Sequence, residues 1–403
     1  MRETRITLKN VVLGLQHLVA MSGATILVPL ITGLSASVAL FTAGVGTLIF
    51  HLVTKGKVPV FLGSSFAFIG VITIVGAQYG LEYATGGIVA AGLVYLLFAL
   101  IVKLIGTERV KKLFPPVVTG SMIMVIGLTL APVVINSNIL EAPGGTAGQR
   151  WLVAFSVAAT MVIVSIFVKG FFKLTPILFG FIVGYLVSLP LGLVDTAAIA
   201  GAAWFKIPQF MLPKFNLEAI IVISSVTIVT FMEHIGDITT NGAVTKNDFF
   251  KDPGLAKTLI GDGLATSFAG LVGGPANTTY SENTGVLAMT GNFNPFTLEV
   301  AAVFAIILAF FGKLGVALQT IPAPVIGGAS IILFGMIATI GLRTIKDGDV
   351  DLNQNRNLII ISIMLVLGIS GVTLPITGNI GLSGLSLSAL TGIILNLVLP
   401  NSD

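Results

Sequence analysis

Four carboxylates stand in stretches otherwise too apolar to hold a charge: Glu233 and Asp237, spaced by one helical turn, then Asp262 and Glu282. An ionised acid at the bilayer centre costs about 2.5 to 3.5 kcal/mol unless it is paired, hydrated or protonated. Glu233 and Asp237 share one helix face, with His234 turned by about 100 degrees from Glu233. Two ionised acids on one face repel, and no Lys or Arg lies within the stretch that carries Glu233 and Asp237 to neutralise them. At least one is expected to be protonated during part of a cycle, as a proton-coupled carrier requires. Glu233, Asp237 and Glu282 are the candidates for that role, with Asp262, set between Gly261 and Gly263, in support.

Two further runs carry polar groups where a regular helix is expected. One is Gly63-Ser64-Ser65-Phe66, introduced by Pro59; the other runs from Gly273 through Pro275, Asn277, Tyr280, Ser281 and Glu282 to Asn283. Both are poor helix formers. Irregular backbone within a membrane is tolerated where it is buried in protein or lines a cavity, because lipid cannot satisfy its NH and CO groups. The two runs are therefore expected to form a binding site from short extended pieces and half-helices. Phe66 beside carboxylates suits a flat heterocycle that stacks while donating NH bonds.

Other chemistries find no support. Cysteine is absent, and His17, His51 and His234 are too few for an imidazole cluster, so no metal or cofactor is expected. The histidines are expected to pack or hydrogen-bond. There is no nucleophile paired with a base and no nucleotide-binding glycine loop, which argues against an enzyme. Basic residues are dispersed at helix ends rather than gathered in a patch, so nucleic acid is not an expected partner.

The elements that must position these residues are membrane helices. With 55% hydrophobic and 9% charged residues, the chain cannot cover a water-facing surface, so lipid is its solvent. Apolar windows place fourteen spans near 11–31, 37–53, 58–76, 84–105, 113–134, 151–168, 173–193, 217–236, 256–272, 275–291, 296–317, 324–342, 356–371 and 383–399. The polar start MRETRITLKN precedes a retained first span rather than a cleaved signal. With both termini cytoplasmic, all of the 21 Lys and Arg except Arg150, Lys206, Lys214 and Lys313 fall on the inner side.

An internal repeat supports this phase. At an offset of 217 residues Gln16-His17 falls on Glu233-His234, Gly44 and Gly46 on Gly261 and Gly263, and Ser64 on Ser281. At an offset of 208, Pro116, Val117, Gly120, Ile123 and Gly127 fall on Pro324, Val325, Gly328, Ile331 and Gly335. Seven spans per copy is an odd number, so the second copy enters from the opposite side, giving an inverted repeat.

The motifs Gln16-His17-Leu18, Gly63-Ser64-Ser65-Phe66-Ala67-Phe68, Glu233-His234-Ile235-Gly236, Asn277-Thr278-Thr279-Tyr280 and Glu282-Asn283-Thr284-Gly285 resemble those of the nucleobase-cation symporter-2 family. The resemblance covers nearly the whole chain and is greatest to the uracil-proton branch. It implies a core domain from 1–105 and 215–318, a gate domain from 106–214 and 319–403, and short strands breaking spans 3 and 10. Core would move against gate in an elevator-like cycle, and a homodimer would form through the gate.

By position, Glu233 would accept ring NH groups, Glu282 would bind the opposite edge, Phe66 would stack, the backbone at Tyr280 and Ser281 would complete the site, and Ala24 would line it. Ser64, Ser65, Asn283, His234, Asp262 and Phe334 would support it. An acid at 282 fits the pyrimidine branch, whereas relatives that move xanthine or urate tend to carry Gln. At Asp237, Ser281 and Phe334 a uracil carrier of the family has His, Gly and Tyr, and Ser281 keeps open the alternative of a purine or xanthine carrier, or one driven by sodium. The expectation is a multi-pass plasma (inner) membrane symporter of uracil or a related nucleobase with protons. An inorganic anion carrier of similar fold is disfavoured by the acids.

Overall fold

A computed structural model describes residues 7–377 and 380–400, with the side chains of Lys111, Ser281, Ile376, Thr377 and Ile380 outside that description. The first half comprises α1 (Leu8–Thr32), α2 (Ala36–Val53), β1 (Leu62–Ser64), α3 (Ile69–Tyr79), α4 (Leu81–Ile105), α5 (Thr107–Leu113), α6 (Pro116–Ile135), α7 (Ala147–Phe167), α8 (Pro176–Ser188) and the short α9 (Thr196–Gly201). The second comprises α10 (Leu217–Ser225), α11 (Thr227–Thr245), α12 (Leu255–Leu271), β2 (Asn277–Thr279), α13 (Ser281–Thr290), α14 (Pro295–Ala309), α15 (Gly312–Gln319), α16 (Ala323–Asp347), α17 (Asn355–Ile369), the hairpin β3 (Thr373–Thr377) and β4 (Ile380–Ser383), and α18 (Gly384–Val398).

The helix ends follow local chemistry. The Thr7 hydroxyl caps α1 by accepting from Asn10 N, and Gly33 ends it in the left-handed conformation at φ 80°. Pro116 and Pro295 occupy first-turn positions, where a missing NH costs nothing. Thr146 and Gln149 form a reciprocal capping box on α7.

Among the described residues seven helices are long and apolar enough to cross a membrane, and five shorter apolar helices have 10–17 residues. The chain is thus a predominantly helical, multi-pass membrane protein. Three details differ from the sequence reading. The eighth interval continues to Thr245, nine residues past the expected 236, because α11 stays helical after its side chains turn polar. The eleventh is interrupted at Phe310–Phe311 between α14 and α15. An unexpected hairpin, β3 and β4, joins α17 to α18.

Packing partners come in matched pairs. α4 packs on α12 and α14 on α2; α10 packs on α4 and α1 on α14; α7 lies on α8 and α17 on α18. In each pair the second contact is the first with the helices replaced by their counterparts in the other half. α6 and α16 pack on each other, with the Gly120 and Gly341 positions in contact across the pair. A Cβ at either glycine would strike the opposite backbone, so small residues set this close approach. The strands β1 and β2 meet antiparallel, with Leu62 opposite Thr279, Gly63 opposite Thr278 and Ser64 opposite Asn277. Each strand thereby satisfies backbone groups of the other that lipid could not.

Candidate functional site

Side chains and carbonyls from three helices hold the strand pair. The Leu62 amide donates to Thr47 Oγ1 on α2 at 2.8 Å, and Ser64 Oγ donates to the Thr25 carbonyl on α1 at 2.9 Å. On the other strand Asn277 Nδ2 donates to the Thr42 carbonyl at 2.9 Å, and Thr266 Oγ1 on α12 donates to the Asn277 carbonyl at 2.8 Å. Tyr280 OH crosses between strands to the Ser64 carbonyl at 2.9 Å. The hydroxyl end of the Tyr280 ring lies against Gly63, where any Cβ would fall on it. Gly46 similarly leaves room for the Asn277 amide.

Beyond each strand a helix begins. The turn Phe66–Phe68 leads into α3, and α13 starts at Ser281; neither Ser65 nor Tyr280 caps its helix with a side chain. Two helix N-termini with open backbone NH groups therefore flank the strands and can receive acceptor atoms. Phe66 is buried and meets Phe334 of α16 edge-on, with ring centres 6.1 Å apart at 89°. Ala24 is buried on α1, one residue before the Thr25 carbonyl that holds Ser64. Ser281 opens α13, but its side chain lies outside the described residues.

The acids gather along α11 and its neighbours. Glu233 is half-buried and within electrostatic reach of Asp237, Glu282 and Asp262. Its Oε2 is buried with no hydrogen-bond partner, as are Ser65 Oγ and Thr278 Oγ1. Such orphans cost about 1 to 3 kcal/mol each, so they mark places where another group belongs. Asp237 Oδ2 accepts from Thr279 Oγ1 of β2 at 3.1 Å, tying this acid to the strand. Glu282 sits in the first turn of α13, where a carboxylate favours the helix dipole. Neither Glu233 nor Glu282 has a Lys or Arg partner among the described residues; the Lys and Arg ion pairs described, Lys57–Asp252, Lys214–Glu82 and Arg343–Asp347, all lie outside this site.

The histidines behind the acids differ in kind. His234 is wholly buried with Asp262: Nδ1 lies 2.8 Å from Asp262 Oδ2 and Nε2 2.9 Å from Thr258 Oγ1. The Thr258 hydrogen goes to the Leu255 carbonyl, so Nε2 is the donor to Thr258 and a further proton must lie between Nδ1 and Asp262. His17 Nδ1 lies 2.9 Å from Asn283 Oδ1, while Asn283 Nδ2 donates to the Pro59 carbonyl at 3.0 Å. That carbonyl fixes the amide's orientation, so His17 carries its hydrogen on Nδ1.

The geometry thus brings together Glu233, Asp237, Asp262, His234 and the two strands, and carries Glu282, Asn283 and Phe66 on the helices that leave them. Phe334 reaches Phe66 from α16. Sequence reasoning missed the side chains of Thr47, Asn241 and Thr279, single polar groups in apolar or irregular segments that hold the strands or their leaders, and the Thr25 and Thr42 carbonyls that anchor Ser64 and Asn277. The Pro59 carbonyl, at the entrance to β1, accepts from both Asn241 and Asn283. Among the described residues no cluster of metal-ligating side chains occurs. A cavity of about 480 Å³ begins one residue after Asp237 on α11, lined by Ile238, Thr239, Gly242, Ala243 and the segment 246–250.

A family model described as "Permease family" matches residues 8–377. The chain is 45% identical over 400 residues to a probable uracil permease of Haemophilus influenzae, covering 99% of this chain and 96% of that protein. It is 45% identical to the uracil permease of Bacillus caldolyticus, with 97% and 92% covered, and 39% identical to that of Escherichia coli K12, with 97% and 91% covered. In fold it is similar to the transmembrane domain of the cyanobacterial bicarbonate transporter BicA, with a TM-score of 0.67 at 17% identity over 98% of this chain and 100% of that one. SLC26A9 gives a TM-score of 0.70 at 13% identity over 96% of this chain and 64% of that one.

Proposed function

The chain belongs to the nucleobase-cation symporter-2 permease family, a family of transporters rather than enzymes, and from that premise we propose that it imports uracil by proton symport. The observation that carries the reading is the meeting of two helix N-termini, two strands and the unpartnered oxygen of Glu233 in one buried place. Uracil presents ring NH donors and carbonyl acceptors. Glu233 accepts from the NH groups, Glu282 binds the opposite edge, Phe66 stacks on the ring, and the backbone NH groups at Tyr280 and Ser281 receive a carbonyl. Ser65 and Ala24 line the space, while Ser64, Asn283, His234, Asp262 and Phe334 hold the framework.

Protonation of Glu233, Asp237 or Glu282 from outside lowers the charge of the site. Proton and uracil binding then favour one another. Fourteen crossings in two inverted copies give a core of 1–105 with 215–318 and a gate of 106–214 with 319–403. The core slides against the gate across the Phe66–Phe334 contact, and release into the cytoplasm follows α11 toward the cavity beyond Asp237. Both termini lie in the cytoplasm of a cell whose plasma membrane holds the protein as a homodimer through the gate. The similarity to the bicarbonate transporter is one of fold, and Glu233 and Glu282, with no Lys or Arg partner among the described residues, oppose an inorganic anion.

Uptake of labelled uracil into proteoliposomes under an inward proton gradient tests the reading. Gradient-driven uptake displaced by unlabelled uracil supports it. Uptake that follows a sodium gradient, or is displaced by xanthine and not by uracil, replaces it with the purine or sodium alternative.

A further inference from the structure

The third histidine, His51, takes no part in the proposed site, yet its hydrogen bonds impose a condition. It sits in the last turn of α2, and its ring is buried. Nε2 lies 2.8 Å from the Val60 carbonyl, in the leader of β1. A carbonyl only accepts, so Nε2 carries a hydrogen. Nδ1 lies 3.1 Å from Glu299 Oε1 on α14. In a neutral ring protonated at Nε2, Nδ1 offers a lone pair, and against a carboxylate this contact would be repulsive. One extra proton must therefore reside between His51 and Glu299.

We propose that His51 and Glu299 form a second proton-binding site, apart from the acids of the strand pair, whose bound proton holds the leader of β1 in place. The titratable groups on the elements packed against α2 are Lys9 and His17 on α1, Lys257 and Asp262 on α12, Glu299 on α14 and Lys313 on α15. His17 is engaged by Asn283 and Asp262 by His234, which leaves Glu299 as the charged partner of His51 among the described residues. Lys55 and Lys57 follow in the loop, where Lys57 pairs with Asp252.

The Glu299 side chain is 16% exposed against 2% for His51, so the proton leaves to water by way of the carboxylate. It leaves behind a neutral ring facing an anion. The contact opens and the Val60 carbonyl loses its fixed donor. Pro59, next to Val60, is held by Asn241 and Asn283, so the loss reaches the elements carrying Asp237 and Glu282.

The proton site itself stands without the uracil reading, and only its consequence for transport rests on it. With three histidines in the chain, the ring nitrogens can be followed individually by ¹⁵N NMR of the full-length protein in lipid. His51 should show Nε2–H throughout, with Nδ1 passing from protonated to bare as pH rises. In Glu299→Gln the amide donates to Nδ1, which should stay bare over that whole step. An Nδ1–H tautomer of His51, or the same step in the variant, overturns the proposal.

Uracil exchange at equal pH on both faces of the vesicle should fall at least about fivefold along the same step, the lower end of ordinary coupling between sites. That fall should vanish in Glu299→Gln, and an unchanged fall contradicts the proposal. A wild-type protein that exchanges no uracil refutes the substrate reading and leaves the NMR result to decide the proton site.

Discussion

The two halves of the molecule use the same framework for different chemistry. In the first, α1 carries Gln16 and His17, β1 leads to Ser65 and Phe66, and α2 carries no carboxylate. In the second, Glu233 and His234 occupy the matching places, β2 leads to Glu282, and α12 carries Asp262 where the first half has the apolar Val45 between Gly44 and Gly46. The acids that can bind protons near the strands are gathered in the second half, whereas the first supplies the aromatic ring and the carbonyls that anchor the strands. Repetition supplies a symmetric cradle; divergence of a few side chains makes it fit an asymmetric ligand.

The histidine pairs offer the strongest way to break this comparison. His234 and Asp262 share a proton in complete burial, so Asp262→Ala should destabilise the protein by about 3 to 5 kcal/mol, the usual cost of stripping a buried charge of its partner. In the first half, His17→Ala, at the place that matches His234, removes a neutral hydrogen bond and should cost about 1 to 3 kcal/mol. Thermal unfolding in detergent measures both, and equal losses would mean that the halves do not differ in charge as described.

The strand pair provides a smaller effect that sharpens the comparison. Gly63→Ala places a methyl group on the Tyr280 ring, at a cost of about 1 to 3 kcal/mol from overpacking. Tyr280→Phe keeps the ring and removes one bond to the Ser64 carbonyl, for about 1 kcal/mol. If the glycine change left stability and uptake untouched, the close packing of the two strands would not hold in solution.

Phe66→Leu keeps bulk but loses the aromatic face, and stacking worth about 0.5 to 1.5 kcal/mol predicts a several-fold rise in the uracil concentration for half-maximal uptake. The smallest change is expected for Ser281→Gly, because the backbone NH at that position, rather than the side chain, is assigned to the ligand. Uptake kinetics with uracil and xanthine as competitors check both.

How far these features could be read beforehand depends on their range in the chain. Apolar windows and proline-glycine boundaries are local, and they placed the helical intervals within a few residues for elements such as α2 and α12. The continuation of α11 to Thr245 was hidden because EHIGDITTNGAVT is polar, and a hydropathy window reads polarity as an end even where one face of the helix, with Asp237, Ile238, Asn241, Gly242 and Thr245, stays buried. Phe310 and Phe311 break the α14–α15 interval just before Gly312 and Lys313, a boundary signal that the apolar window ran through.

The acids and the broken segments were visible because they are improbable in a bilayer. Their anchors were not. Thr47 looks like an ordinary small polar residue in an apolar helix until Leu62 arrives from elsewhere in the chain, and the Thr25 and Thr42 carbonyls leave no mark in the sequence until Ser64 and Asn277 reach them. His51 and Glu299, separated by 248 positions, gave no sign of meeting.

The most direct test of the account is uracil-driven proton entry, followed with a pH-sensitive dye inside proteoliposomes, for the intact protein, Glu233→Gln and Glu282→Gln. The account predicts acidification on adding uracil to the intact protein. Loss of a charged hydrogen bond worth about 1.5 to 3 kcal/mol should lower uracil uptake by roughly 10- to 100-fold in either variant. Uracil uptake without acidification, or full proton-coupled uptake in both folded variants, would contradict it.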